Sequence, residues 1–199
     1  MKLNLANRIT LSRVVMIPAF VFFLLNGNVL ISAVIFIAAS ITDGIDGYIA
    51  RKRNMITNLG KLMDPLADKV LVVSALICFV EVFWWVPAWT VLIIIAREFI
   101  VTGFRLSIVA GDNKAVIAAD IWGKIKTAFT MGVIIFILVL KGAFEDIYVA
   151  FFHPQHLETI NKIYHIFENV SFVLICMVTA ITVFSGFTMI WKNRSLFSE

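Results

Sequence analysis

Long uninterrupted apolar stretches recur along this chain and constrain its fold more than any other feature. They lie at residues 8–26, 29–50, 60–84, 87–108, 119–141 and 168–191. Each can cross the roughly 30 Å hydrocarbon core of a bilayer as an α-helix, which rises about 1.5 Å per residue. They are too long and too continuous for the alternating strands of a membrane barrel. The sequence therefore predicts an all-α integral membrane protein with six transmembrane helices.

The basic residues predict how these helices are oriented. An even number of spans puts both termini on one side, and with that side cytoplasmic all but three of the 17 Lys and Arg residues lie at cytoplasmic ends or loops. The exceptions are Lys69 within a span and Lys141 and Lys162 outside. Because cytoplasmic loops carry an excess of Lys and Arg, we expect both termini to be cytoplasmic. The basic residues form no stripe on a soluble module, so no nucleic-acid partner is expected.

The most polar part of the chain, residues 142–167, separates the last two apolar stretches. Apolar residues within 156–169 recur at helical spacing, which predicts an interfacial helix between helices five and six on the outer side. His153, His156 and His165 form no compact i, i+4 pair, so solvated histidines are favoured over a metal site there. Without internal repeats or Ser-rich linkers, residues 1–199 are expected to form one domain.

Four aspartates interrupt the second and third predicted helices near their cytoplasmic ends. Asp43 and Asp46 are three residues apart, and Asp64 and Asp68 are four apart, so each pair shares one helix face. A short connection makes the two helices antiparallel and brings these faces together. A charge at the bilayer centre costs about 2.5–3.5 kcal/mol, and Lys69 alone cannot neutralise four acids. Bound cations are therefore expected, in preference to buried ion pairs.

The residues around the aspartates indicate which cations and ligands would bind. Oxygen-only ligands favour two divalent Mg²⁺ or Mn²⁺ ions, although zinc can occupy such a cage in vitro. Gly47 and Ala50 leave space beside the acidic face for a bulky ligand or simply for a packed helix. Arg51, one turn from Gly47, is placed to contact a phosphate. This combination indicates chemistry on a phosphate ester attached to a lipid.

A second polar set lies in helix four and at the start of helix five. Arg97 and Arg105 are eight residues apart and lie nearly on one helix face, and Lys124 and Lys126 follow in the next helix. These residues predict a pocket for an acceptor that carries its own phosphate. Lys124 and Lys126 point about 200° apart, so one of them is expected to face the pocket. The alternative is that the basic residues follow the positive-inside rule and contact lipid headgroups.

The aspartates belong to a longer pattern: Asp-x-x-Asp-Gly-x-x-Ala-Arg, eight residues, Gly, three residues, Asp, three residues, Asp. Residues 43–68 match it at every fixed position. The pattern resembles the CDP-alcohol phosphotransferase family. The resemblance implies a six-helix membrane enzyme, usually a homodimer with its active site facing the cytoplasm. Such an enzyme transfers a phosphatidyl-type group from a CDP-linked lipid to an alcohol and releases CMP.

The resemblance also implies roles for individual residues. Asp43, Asp46 and Asp64 are expected to be metal ligands, and Asp68 is expected to be both a ligand and the catalytic base. The residues implied to bind the CDP-lipid are Gly47, Ala50, Arg51, Gly60, Asn7, Thr10 and Arg13. The residues implied to bind the acceptor's phosphate are Arg97, Thr102, Arg105, Lys124 and Lys126.

Three further stretches indicate a branch of the family. Residues 7–13, 95–105 and 123–127 resemble the bacterial members that use CDP-diacylglycerol and sn-glycerol 3-phosphate in phospholipid biosynthesis, which implies a multi-pass protein of the inner (cytoplasmic) membrane. A sibling enzyme with another acceptor, such as inositol phosphate or serine, is the first alternative. A divalent-cation transporter is a more distant one, since acids near one end of the helices and a neighbouring Arg51 do not suit a travelling cation.

Overall fold

The computed structural model describes the backbone of residues 5–52, 58–110, 121–150 and 154–192, and the side chains of residues 15–42, 69–104, 121–145 and 158–192. Within these ranges the regular structure is helical throughout. The helices are α1 (Leu5–Leu25), α2 (Val29–Lys52), α3 (Asn58–Val82), α4 (Ala88–Ala110), α5 (Ile121–Ala150) and α6 (Pro154–Lys192). The predicted all-α class and the six predicted helices are therefore confirmed.

Among the residues whose side chains the structure describes, two helical segments are long and apolar enough to cross a membrane. The segments are Ile121–Glu145 of α5 and Glu158–Lys192 of α6. Shorter apolar segments occur in α1 and α2, at Val15–Leu25 and Val29–Thr42. The described helices are thus consistent with a membrane protein, while six spans with cytoplasmic termini stay a prediction.

The interfacial helix predicted between the fifth and sixth spans is not confirmed as a separate element. Residues 156–169 form the first turns of α6, a single helix of 39 residues. Pro154 suits the first turn because its missing N–H would have no partner there. No Gly or Pro follows until Gly186, so nothing in the sequence interrupts the backbone hydrogen bonds. The helix changes from amphipathic to apolar along its length, but its backbone is continuous.

A tight turn connects α1 to α2. Gly27 has a φ of 80°, the left-handed conformation that glycine adopts at helix ends. Its N–H donates to the carbonyl of Leu24 at 3.2 Å, and the N–H of Asn28 donates to the carbonyl of Phe23 at 2.9 Å. These two bonds satisfy carbonyls at the end of α1, as in a Schellman motif. The turn lets α2 begin at Val29 and return along α1.

The chain divides into two compact units: Met1–Val82 with Ile134–Tyr164, and Phe83–Val133 with His165–Glu199. In the first unit, α1 packs against α2 and α3, and α2 also contacts α3. Phe20 of α1 and Phe36 of α2 are both fully buried, and their ring centroids lie 5.6 Å apart. The core of this unit is therefore built around α1. The single domain expected for the chain stays a prediction.

Lys141 and Gly142, in the C-terminal half of α5, make specific contacts in the first unit. Lys141 Nζ donates to the hydroxyl of Tyr164 at 2.8 Å and lies 3.3 Å from the carboxylate of Glu145. Gly142 lies against the backbone of α2, where an added Cβ would stand 2.9 Å from Leu30 N and 3.0 Å from Leu30 Cα. Because backbone atoms cannot rotate away as a side chain can, a glycine is needed for this close approach.

Aromatic rings organise the second unit at the loop before α4. The rings of Phe83 and Trp85 stack with centroids 5.4 Å apart, and Trp85 meets Phe167 of α6 edge-on at 6.0 Å. Trp84 is 80% exposed, which suits the position of an aromatic ring at a membrane interface. A buried cluster joins α4 to α6 elsewhere in this unit; its members are Val101, Phe104 and Met189.

The close approach of α5 to α2 predicts that Gly142→Ala destabilises the protein. Alanine favours an exposed helix interior by about 1 kcal/mol over glycine, but overpacking typically costs about 1–3 kcal/mol, and here the clash is with backbone. We expect a lower unfolding temperature in detergent micelles. Gly132→Ala is the matched control, because nothing lies within 4 Å of its added Cβ. Equal unfolding temperatures for the two variants would contradict the prediction.

Candidate functional site

The backbone places the aspartate positions on two helices that contact each other. Positions 43 and 46 lie in α2, positions 64 and 68 lie in α3, and both helices pack against α1 in the first unit. The side chains of the predicted metal and CDP-lipid residues lie outside the described part of the structure. Those residues are Asp43, Asp46, Asp64, Asp68, Gly47, Ala50, Arg51, Gly60, Asn7, Thr10 and Arg13.

The chemistry of these four residues fits a divalent metal. Carboxylate oxygens are the donors that Mg²⁺ and Mn²⁺ prefer, and two contacting helices can supply them together. Among the side chains that the structure describes, no group of three or more His, Cys, Asp or Glu could hold a metal ion. Nδ1 of His165 lies 3.0 Å from Oε2 of Glu168. The aspartate set therefore stays the candidate metal site, and its geometry stays a prediction.

Two of the predicted acceptor residues meet around a carboxylate in the second unit. Arg97 Nη1 donates to Glu98 Oε1 at 2.9 Å, and Lys126 Nζ of α5 donates to the same oxygen. The side chains are 13% exposed for Arg97, 17% for Glu98 and 10% for Lys126. The sequence thus brings basic residues from α4 and α5 into one largely buried group, which we name the basic cluster: Arg97, Glu98 and Lys126.

The charges of the basic cluster do not cancel. Two cations share one carboxylate, so the three side chains carry a net charge of +1 when all are ionised. Arg97 Nε is also buried without a hydrogen-bond partner among the described residues. A buried N–H without a partner costs about 1–3 kcal/mol, and a buried charge costs more unless it is paired. An anion placed against the cluster would reduce the cost of its unbalanced charge.

A third helix of the same unit contacts Arg97. Its Nη2 donates to the hydroxyl of Ser185 in α6 at 2.5 Å. The next residue, Gly186, lies against the arginine stem, where an added Cβ would stand 3.0 Å from both Cγ and Nε of Arg97. Ser185 is 3% exposed. The guanidinium is thereby held between α4 and α6.

The remaining predicted acceptor residues are distributed differently. The Thr102 hydroxyl donates to the carbonyl of Glu98 one turn back, at 2.6 Å. Lys124 is exposed, whereas Lys126 is buried in the basic cluster. Arg105 lies on α4, but its side chain is outside the described part. The structure therefore brings Arg97 and Lys126 together in the basic cluster, whereas the side chain of Lys124 is exposed.

Sequence reasoning gave no role to three residues that organise this cluster. Glu98 offered a signal, because an acidic side chain inside an apolar helix needs a cationic partner. Ser185 and Gly186 offered none, since small residues in a membrane helix most often serve close packing with any neighbour. Ser185 is 88 residues from Arg97 in the sequence, so only the fold brings the two together.

Comparison with known proteins tests the family resemblance independently of the structure. Residues 3–170 match the family model for CDP-alcohol phosphatidyltransferase. The chain is 49% identical over 139 residues to the CDP-diacylglycerol–glycerol-3-phosphate 3-phosphatidyltransferase of Bacillus subtilis (strain 168), covering 62% of this chain and 70% of that protein. The protein of the same name from Haemophilus influenzae is 41% identical over 138 residues, covering 66% and 73%. The one from Yersinia enterocolitica is 32% identical over 203 residues, covering 97% and 98%.

The family match includes both regions that carry charged residues, the aspartate pattern and the basic cluster. The resemblance inferred from the aspartate pattern is therefore confirmed, and the chain belongs to the CDP-alcohol phosphatidyltransferase family of enzymes.

Proposed function

We propose that this protein transfers the phosphatidyl group of CDP-diacylglycerol to sn-glycerol 3-phosphate, giving phosphatidylglycerophosphate and CMP in phospholipid biosynthesis. The observation that supports this choice of acceptor is the net positive charge of the buried basic cluster. In it, Glu98 neutralises one of the two cations Arg97 and Lys126. An acceptor with its own phosphate supplies the missing negative charge. The names of relatives that match the chain over most of its length support the same acceptor.

The reaction exchanges one phosphorus–oxygen bond for another. A hydroxyl oxygen of glycerol 3-phosphate attacks the phosphorus that carries the diacylglycerol. The bond from that phosphorus to the oxygen bridging it to CMP breaks, and CMP leaves with the electron pair. The proton of the attacking hydroxyl passes to a base, for which we propose the carboxylate of Asp68.

We propose that the four aspartates of α2 and α3 hold a divalent metal, Mg²⁺ or Mn²⁺, with two ions suiting four carboxylates. Asp43, Asp46 and Asp64 would act as ligands, and Asp68 as both ligand and base. When bound, the metal would stabilise negative charge on the pyrophosphate and on the departing CMP. The aspartates themselves orient the donor and receive the proton.

The donor's nucleotide end is proposed to lie along the same helices. Gly47 and Ala50 of α2 leave room for the cytidine, and Gly60 of α3 extends this wall. Arg51 would contact the phosphates. The N-terminal part of α1 is proposed to contribute to CDP-lipid binding through Asn7, Thr10 and Arg13.

For the acceptor we propose that Arg97 and Lys126 bind the phosphate, with Thr102, Arg105 and Lys124 as further members of the pocket. Arg97 presents a planar fork of N–H donors that matches phosphate oxygens, and Lys126 adds a compact charge. Their low exposure strengthens such contacts, because little water competes for the same donors. The chemistry would also suit inositol phosphate, whereas serine carries no phosphate and would leave the cluster's charge uncompensated.

The membrane topology and location proposed for this protein come from its sequence pattern. We propose six membrane spans with both termini cytoplasmic, in the inner membrane of a bacterium, with the active site facing the cytoplasm. A homodimer is proposed from the family resemblance. Accessibility of introduced cysteines from the two sides of oriented vesicles would test the topology.

Removal of divalent metal is predicted to abolish turnover. Purified protein in detergent should lose activity in EDTA and regain it with Mg²⁺ or Mn²⁺, because four adjacent carboxylates repel one another and cannot hold the pyrophosphate unaided. Release of CMP is the measurement. Full activity in excess chelator would overturn the metal proposal.

Asp68→Asn is predicted to lower kcat by about 10²–10⁴, the usual contribution of a general base. Binding of CDP-diacylglycerol should persist, because the change keeps the size of the side chain and the other three carboxylates. Asp146→Asn makes the same chemical change at a position outside the proposed site and should leave kcat unchanged. If Asp68→Asn retains wild-type turnover, Asp68 is not the base.

Lys126→Met is predicted to raise the KM for glycerol 3-phosphate by about 10–100-fold, the equivalent of the roughly 1.5–3 kcal/mol of a hydrogen bond to a charged group. The KM for CDP-diacylglycerol should change little. Lys162→Met is the matched control, because Lys162 is 72% exposed and pairs with Glu158 at the surface. A panel of alcohols tested with the wild-type protein identifies the acceptor directly. Equal changes in both KM values would argue against Lys126 as an acceptor ligand.

A further inference from the structure

We propose that Ser185 and Gly186 of α6 are positioning residues that fix the Arg97 guanidinium for the acceptor's phosphate. This inference rests on the proposed function, since it gives Arg97 the acceptor's phosphate as its ligand. Both residues lie beyond residue 170, where the match to the family model ends. They contribute no charge, so their role depends entirely on their contact with Arg97.

Gly186 provides space rather than backbone freedom. It lies within α6, and among the described glycines the positive φ belongs to Gly27. A glycine in a helix interior is less favourable than alanine, so its presence here points to a neighbour that needs the room. That neighbour is the Arg97 side chain, because an added Cβ would stand 3.0 Å from Cγ, 3.0 Å from Nε and 3.6 Å from Cδ. A methyl group at this position would push the arginine stem away from α6.

Ser185 fixes the other end of the same side chain. Its hydroxyl accepts a hydrogen bond from Nη2 at 2.5 Å, while Glu98 accepts one from Nη1 at 2.9 Å. With both terminal nitrogens held and the stem seated on Gly186, the plane of the guanidinium is fixed. These contacts use two of the five N–H groups of the guanidinium, and we propose that the second N–H groups of Nη1 and Nη2 meet phosphate oxygens.

A fixed guanidinium binds phosphate better than a mobile one. An arginine that must order its long side chain on binding loses conformational entropy, whereas one already ordered does not. Glu98 is the adjacent residue on α4 and accepts from Nη1, whereas the contacts from α6 are made with Nη2 and with the stem of Arg97. The pair Ser185 and Gly186 thus acts on acceptor affinity through Arg97.

Simple packing of α6 on α4 is the competing explanation, and it predicts a different result. If the contact served packing alone, changes at Ser185 or Gly186 would lower stability without separating the two substrates. A positioning role instead changes the KM for the acceptor and leaves the KM for CDP-diacylglycerol near the wild-type value. The two KM values together with the unfolding temperature therefore distinguish the explanations.

The test compares Gly186→Ala and Ser185→Ala with Gly132→Ala, whose added Cβ meets nothing within 4 Å. Purified full-length protein in detergent is assayed for CMP release while glycerol 3-phosphate and CDP-diacylglycerol are varied in turn. We expect each α6 variant to raise the KM for glycerol 3-phosphate about tenfold, the size expected for one charge-assisted hydrogen bond. The KM for CDP-diacylglycerol should stay within about twofold, and Gly132→Ala should change neither.

Arg97→Lys separates failure of this inference from failure of the proposed function. If the wild type uses glycerol 3-phosphate and Arg97→Lys raises its KM, but neither α6 variant does, the positioning role is wrong and the proposed function stands. If the wild type accepts no phosphate-bearing alcohol, the proposed function fails and this inference fails with it. Should Gly186→Ala not fold, Ser185→Ala decides alone, since it removes a single oxygen from a helix position that alanine suits.

Discussion

The pairing of the Glu98 carboxylate with two cations is the interaction on which the basic cluster of the second unit depends. Oε1 of Glu98 accepts from Arg97 of α4 and from Lys126 of α5, so one acid holds two cations in a largely buried position. Removing charged groups from water is costly, and a single cation left without its partner would be more costly still. One carboxylate cannot neutralise both cations, however. The positive charge that remains makes the cluster suitable for an anion, which a fully balanced ion pair would not be.

The two sets of charged residues belong to different units of the chain. The aspartate positions lie on α2 and α3 in the first unit, and the basic cluster lies on α4 and α5 in the second. The first set would provide the chemistry that all CDP-alcohol substrates share, whereas the second would bind the acceptor. This separation explains why the aspartate pattern identified the family more readily than the acceptor.

The sequence predicted the helices well because apolar length is a local property. It failed at the start of α6, where the change in composition at about residue 169 suggested a boundary that the backbone does not have. It grouped Arg97 with Lys126 through charge and position but did not assign Glu98, whose partners lie on two helices. Spacing alone could not find Ser185, since its contact with Arg97 joins residues 88 apart in the chain. Predicting long-range side-chain contacts requires the fold, whereas predicting helices from apolar length does not.

The contact between Arg97 and α6 shows how small residues can matter in a protein of this composition. Between apolar helices there is little hydrophobic gain from further burial, so close approach and hydrogen bonds determine which faces meet. Gly186 permits the approach and Ser185 supplies the hydrogen bond, and neither would be sufficient alone to fix both the stem and the terminal nitrogens of Arg97. A guanidinium ordered in this way would lose little further side-chain entropy on binding a phosphate. Acceptor affinity would then depend on two residues that touch no substrate.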